Sequence, residues 1–510
     1  MRKSTPIFLI AFFSLCLTAC ELRNPALSVL SGEEVGDSCL SETILPVEVP
    51  FPMPEFRKPV FPDTIVCLSI ASIQDSLQTI YINSQIIALS EAGGGTISLE
   101  EGKWQTGRIE LKSNINLHFP EKIEIYFSNR PEDYLPVVFT RYEDEECLSS
   151  GAFIYANNQK NVALTGCGKL IGPELSGKLF NTFREQFNNK AIRKKDAGVP
   201  VEERIYDGSS LDATMLLLNI FLPINCEGVF VEGIRIEGSL AWNTAPIYCA
   251  NVIIRGVNIY LVGVPAGGGI NIESTKNVLI EFSTLASGDD CFTIKVGSGE
   301  DGARVNKSSE NIVIRYCLAL TGDGGVTTAG GIKNVYVHDC VFSGTTRGLR
   351  SKTGRERGEG GDSLFYERIR IRNATKALNW DMLGSTYVMG ELAERSPIRR
   401  KTPLTPSYSN IHIKDIVVEN AGKFICASGI PESPLVNVTV ENAIVSCNKL
   451  PEFTDVDSFS IRNSSIISQD SIMTFIDARN ITFENVKMTL LHKLCLNKRG
   501  PLTTNIIIKK

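Results

Sequence analysis

The sequence predicts an all-β solenoid, a right-handed parallel β-helix, on three observations. A short motif, Asn-(Val/Ile)-x-(Ile/Val/Leu), returns at Asn161, Asn251, Asn277, Asn311, Asn334, Asn410, Asn437 and Asn480, with a weaker copy at Gly228. The spacing is that of a coil: 26 residues from Asn251 to Asn277, 34 on to Asn311, 23 on to Asn334, and 27 from Asn410 to Asn437. Repeats of this length, each with one alternating strand, mark stacked β-coils. Lastly, the Leu-x-x-Leu-x-Leu frame of the competing array does not repeat, and a β-sandwich would not start each strand on the same residue. Asparagines at equivalent turns can bond amide to amide, as stacked amides do.

Taken in order, the chain opens with Arg2 and Lys3 before an apolar run from Ile7 to Leu17, which ends in Leu17-Thr18-Ala19-Cys20. That is an export signal, too short to span a bilayer. Its last four residues resemble the bacterial lipoprotein signal. The resemblance implies a lipid on Cys20, a signal over residues 1–20, and an outer-membrane protein touching the membrane only through that anchor. Residues 21–65 are rich in Pro, Glu and Ser and read as an extended tether, because repeated prolines forbid a ladder. A helix is expected from Asp75 to Ala92, with an acidic N-cap and a stop at Gly93-Gly94-Gly95, placed to cover the first coil. The β-helix domain then runs over 66–500. Two charge-rich stretches, 176–212 and 353–408, break the period and read as long loops that shape a site.

Composition narrows the function. A net charge of −5 lacks the basic footprint of a general nucleic-acid binder. The 14 cysteines include no C-x-x-C pair, and no zinc spacing joins them to the four histidines, so no metal or other cofactor is expected. Cys167, Cys226, Cys317 and Cys340 read as small apolar core residues. A capped solenoid needs no partner, so a monomer is expected.

Candidate site residues gather between Ala266 and Thr353, in AGGGINIES, ASGDDCFTIKVG, LTGDGGV and RGLRSKT, each at the end of a β-run or just after one. Stacked as coils, they would bring Asn271, Glu273, Asp289, Asp290, Asp323, Arg350 and Lys352 into one groove. Successive strand residues face opposite ways, so Asp289 and Asp290 need a turn or bulge to share a site; Ser287-Gly288 supplies one. Two adjacent carboxylates repel, so one pKa rises, which separates an acid from a base. Arg350 and Lys352 flank Ser351 on one strand face, a fork and an ammonium suited to a sugar carboxylate. Arg355 and Arg357, interleaved with Glu356 and Glu359, read as a solvated loop. Trp242, Tyr142 and Trp380 are either stacking surfaces or core aromatics.

These blocks, with AGGGTISLEEGKWQTGRIELKSNINLHF, RPEDYLPVVFTRYEDEEC, GSLAWNTAPIYCANVIIRGVNI and TPSYSNIHIKDI, resemble glycoside hydrolase family 28, the polygalacturonases, over most of residues 40–490. The resemblance implies a pectin-lyase-like β-helix that hydrolyses galacturonic-acid-containing pectic chains with inversion, Asp289 as acid and Asp290 as a base. Of the family's four short motifs, the Asp-Asp pair and Arg350-x-Lys352 are present. Gly-His-Gly appears as Gly322-Asp323-Gly324, and Asn-Thr-Asp falls on Ala266-Gly267-Gly268, so Gly268 replaces a catalytic aspartate. Asp323 either supplies the missing carboxylate or binds a water in a turn, and Asn271 and Glu273 read as sugar contacts. A pectin-binding lipoprotein without turnover and a Ca²⁺-using β-eliminating enzyme are the competing classes. Endo and exo action are left open.

Overall fold

The computed structural model describes residues 40–70, 77–173, 198–209, 215–358 and 360–509. Their strands stack in parallel, coil upon coil. One inward column reads Ile115, Val162, Val229, Val252, Val278, Ile312 and Val335, each in register with the next. It continues through Leu364, Ile411, Val438, Phe459 and Ile481. All of these side chains are buried in one core that runs the length of the solenoid.

The repeated asparagine starts each of these strands in the left-handed region, with φ of 54° to 58° from Asn161 to Asn437. Asparagine tolerates that conformation better than most residues. The side chains then bond coil to coil: Asn277 Nδ2 donates to Asn251 Oδ1 at 3.0 Å, Asn311 to Asn277 at 3.1 Å and Asn334 to Asn311 at 3.0 Å. The motif is therefore a turn device as well as a sequence period.

A helix spans Thr79–Glu91 and buries Ile82, Ile86 and Leu89, one face of a 3.6-residue period, against the first coils. It ends at Gly93-Gly94-Gly95, all at positive φ, as expected. Its start differs from the expectation. Gln78 precedes it, with its backbone N–H bonded to Gln105 O at 2.8 Å, and no side chain caps it. The expected cap, Asp75, lies outside the described residues.

Three further expectations are corrected. First, residues 40–64 form no ladder, but they are no free tether. Ala163, Phe230, Ile253, Leu279, Val313 and Tyr336 form an outward column on successive coils. Phe56 packs into this stripe, and Ile44, Val47, Val49, Phe51, Met53 and Phe61 pack against it. Arg315 donates to the Leu45 and Pro46 carbonyls, and Lys58 pairs with Glu232 at 2.7 Å. The strap covers apolar surface that water would otherwise meet.

Second, the 353–408 stretch is not one loop. It holds the strands Gly361–Arg372 and Lys376–Asp381, a full coil whose outward positions include Glu367, Arg370 and Arg372 beside Phe365, while Leu364, Tyr366, Ile369 and Ile371 face in. Its turn uses Ser363 at φ 58° in place of asparagine, which hid the repeat. Of the 176–212 stretch, 176–197 and 210–212 lie outside the described residues, and Ile205–Tyr206 pairs with Glu145–Ser149. Third, Cys226, Cys317 and Cys340 are buried as expected, but Cys167 is exposed at a coil corner.

Phe56→Ala should lower unfolding free energy by about 2–4 kcal/mol. Val60→Ala, at a side chain 86% exposed, should change it by less than about 0.5 kcal/mol. Denaturant midpoints measure both, and an unchanged midpoint for Phe56→Ala would mean the strap is not docked.

Candidate active site

The groove strands stack in register: Asn271 beside Thr293, Thr293 beside Thr327, and Thr327 beside Arg350. Asp289 and Asp290 lie on no strand. They occupy the corner between Thr284–Ala286 and Phe292–Lys295, where the ladder register shifts. The corner solves the facing problem, since neither residue is bound to strand alternation. Asp323 N donates to Asp289 O at 2.9 Å, which fixes the next coil's aspartate beside the pair. Gly324 makes the space: a Cβ there would stand 2.6 Å from Asp290 Oδ1. One oxygen from each of Asp289, Asp290 and Asp323 lies within 4.8 Å of the others.

Three cations meet these three carboxylates. Asp290 is buried, with Arg350 Nη1 3.0 Å from Oδ1 and Lys352 Nζ 2.8 Å from Oδ2. The same Arg350 Nη1 reaches Asp323, which Arg347 grips from its other side. Burial alone would push the Asp290 pKa up, but Lys352 and Arg350 hold it well below the usual carboxylate range. Magnitudes explain why. Each contact near 3 Å is worth about 5 kcal/mol at an effective dielectric of about 20, and two outweigh the several kcal/mol that burying one ion costs. Asp289 goes the other way: burial, and then the Asp290 charge, raise its pKa despite Lys352. The corner therefore holds a carboxyl that keeps its proton to higher pH than an ordinary aspartate, beside a fixed carboxylate.

The structure brings Asp289, Asp290, Asp323, Arg350 and Lys352 together, as expected, and adds Arg347. It does not bring Glu273. That carboxylate is 1% exposed and sits between Arg141 at 2.9 Å and Lys295 at 3.5 Å. Lys295 also holds Asp144 at 2.8 Å, and Arg357 closes the chain onto Asp144. Glu273 thus anchors the hairpin Val138–Tyr142 and Glu145–Ser149 to the coils, and no sugar can reach it. Asn271 is buried too, below Gly268. Arg355 is not solvated but buried against Glu432, while Arg357, a third exposed, pairs with Asp144. Trp380 is core, edge-on to Phe459.

Gly268 is not simply a lost aspartate. A Cβ at Gly268 would stand 2.8 Å from Trp242 Cδ1 and 3.0 Å from Asn271 Nδ2. The indole fills the direction a carboxylate would take, and Lys295 Nζ lies 3.6 Å from its ring centroid. Sequence reasoning missed Trp242 in this role, and no local signal marks it. Arg347 was legible, as the first of three cations in Arg347-x-x-Arg350-x-Lys352.

Residues 219–420, which contain the whole cluster, match the model of Glycosyl hydrolases family 28. A probable polygalacturonase of Vitis vinifera is 24% identical over 74% of this chain and 73% of its own. An endo-polygalacturonase of Pectobacterium carotovorum subsp. carotovorum is 24% identical over 70% of this chain and 81% of its own. The crystal structure of a hyperthermoactive exopolygalacturonase from Thermotoga maritima superposes with a TM-score of 0.70 at 26% identity, covering 85% of this chain and 94% of that one. With its stacked coils and acidic corner, the region 219–420 is a glycosyl hydrolase family 28 domain, and the chain around it is similar to polygalacturonases.

Proposed function

We propose that this protein hydrolyses glycosidic bonds in galacturonic-acid-containing pectic chains with inversion. The observation that carries the reading is the split between Asp289, whose pKa is raised, and Asp290, whose carboxylate two cations hold ionised. Asp289 gives its proton to the glycosidic oxygen as the bond from C1 breaks. A water attacks C1 from the other side and yields its proton to the Asp290–Asp323 pair. Asp323, a third exposed, is the open member of that pair. Oxygens up to 4.8 Å apart suit one water hydrogen-bonded to both. This is tighter than the ~6.5–9.5 Å between the carboxyl groups of an ordinary inverting pair, and Asp323, from another coil, supplies the carboxylate that Gly268 lacks. Lys352, a third exposed, has donors left for a uronate carboxylate.

A second reading, binding without turnover, has its own observation: Trp242 closes the space beside Gly268. We further propose that the helix Thr79–Glu91 closes the first coil of a right-handed solenoid. Cys20, outside the described residues, would carry the lipid of a monomeric outer-membrane protein. No helix among the described residues is long and apolar enough to cross a membrane.

Reducing-end assays on pectic oligosaccharides should show release by the wild type, and a loss of about 100-fold or more in Asp289→Asn. Asp323→Ala should fall comparably. Silence from the wild type on homogalacturonan and branched pectins favours the binding reading, and full activity in Asp323→Ala removes the replacement carboxylate.

The pH dependence of kcat/KM should be bell-shaped. The alkaline limb reports loss of the Asp289 proton above the usual aspartate range, and the acid limb reports protonation of Asp290 below it. Lys352 lowers both pKa values, so Lys352→Met should move both limbs to higher pH. Unmoved limbs would show that Lys352 does not set them.

A further inference from the structure

From Arg347, which grips Asp323, the groove face carries on into a row of cations that the bond-breaking step does not use. Arg347 is in register with Lys376, Lys376 with Lys423, and Lys423 with Lys449. Four successive coils thus present a cation at one position, at steps of about 4.8 Å. Two contacts place the row beside the groove. Arg347 reaches Asp323 in the site, and Lys423 reaches Glu452. Glu452 itself continues the column of Arg350 through Asn379 and Cys426. Among the described residues Lys376 and Lys449 have no ion-pair partner, and Lys449 is exposed.

Packing does not call for this row. The adjoining Ala377, Phe424 and Leu450 fill the core, while like charges directly opposite on neighbouring strands repel. Asp323 and Glu452 are the acids that offset them, two against four. The field also persists toward the end of the solenoid. Residues 485–509 contain Lys487, Lys493, Lys498, Arg499 and Lys509 and no Asp or Glu, although the whole chain has a net charge of −5. Arg499 lies in the column of Lys352, reached through Asp381, Ser428, Thr454 and Ile476.

We propose that Arg347, Lys376, Lys423 and Lys449 form a binding track for a polyuronate, which leaves the acidic corner and runs over the C-terminal coils. This deepens the pectic reading and rests on it. A chain with a carboxylate on each sugar meets a cation on each coil and relieves their mutual repulsion, whereas a neutral glycan of the same shape does not. Affinity should therefore grow with oligomer length and weaken with salt.

The test uses the full chain with Lys376→Ala/Lys449→Ala, and Lys376→Arg/Lys449→Arg as the charge-keeping control. Retardation in gels containing polygalacturonate, run on an Asp289→Asn background, measures binding without turnover. KM for polygalacturonate and for trigalacturonate measures it in the active enzyme. The alanine pair should weaken polymer binding about 3- to 10-fold, the scale of two exposed ionic contacts. Its effect on KM should be at least about threefold larger for the polymer than for the trimer, and the arginine pair should restore both. Hydrolysis that proceeds with polymer binding unchanged in the alanine pair overturns the track and leaves the hydrolase. Absence of hydrolysis with charge-dependent polymer binding does the reverse. Equal losses on polymer and trimer, or no rescue by arginine, also overturn the track.

Discussion

The groove depends on one constraint, the parallel register that sets each coil about 4.8 Å above the last. It brings Thr293, Thr327 and Arg350 into one column although 57 residues separate the first from the last. Buried aliphatic columns and the asparagine bonds hold that register, and a one-residue slip would turn each inward side chain out. The acidic cluster is a consequence. Asp290 meets Arg350 and Lys352 because two coils of ladder place them there, and the Asp323 N–H finds the Asp289 carbonyl for the same reason.

Given that scaffold, the chemistry is electrostatic. Three carboxylates within 4.8 Å of one another would not all ionise unaided. Arg347, Arg350 and Lys352 match them charge for charge, and they do so unevenly. Asp290 receives two cations and stays ionised, whereas burial and its neighbour's charge raise the pKa of Asp289. The asymmetry between two adjacent aspartates makes one an acid. The Glu273–Arg141–Lys295–Asp144 network works differently. It is closed to solvent, and it holds the hairpin over the coils next to the groove.

Much of this was legible because stacked coils leave periodic marks. The asparagine repeat gave the strands, and the Asp-Asp pair with Arg350-x-Lys352 gave most of the site. What failed did so for physical reasons. Charge density made 353–408 look like loop, although charges on the outward positions of a strand are ordinary. Glu273 and Asn271 occupy the right strand but are buried, a property that identity does not reveal. Proline in 40–64 excluded a ladder correctly, yet said nothing about docking. A signal for docking did exist. The early strands read Val-Ala-Leu, Val-Phe-Val, Val-Ile-Ile and Ile-Val-Ile without alternation, which marks strands covered on both faces. Later ones such as Ile-His-Ile and Val-Thr-Val alternate, and their outward residues are polar.

The close spacing of the carboxylates leaves one question that stereochemistry answers directly, because pairs at about 5–5.5 Å ordinarily retain configuration through a covalent intermediate. Here both cations on Asp290 and both arginines on Asp323 hold these oxygens back from attack and leave a water to do it. Proton NMR of the first product formed, before its anomers equilibrate, reads the outcome. The account predicts the anomer opposite to the bond cleaved. Retention of configuration would contradict it and make one of these carboxylates a nucleophile.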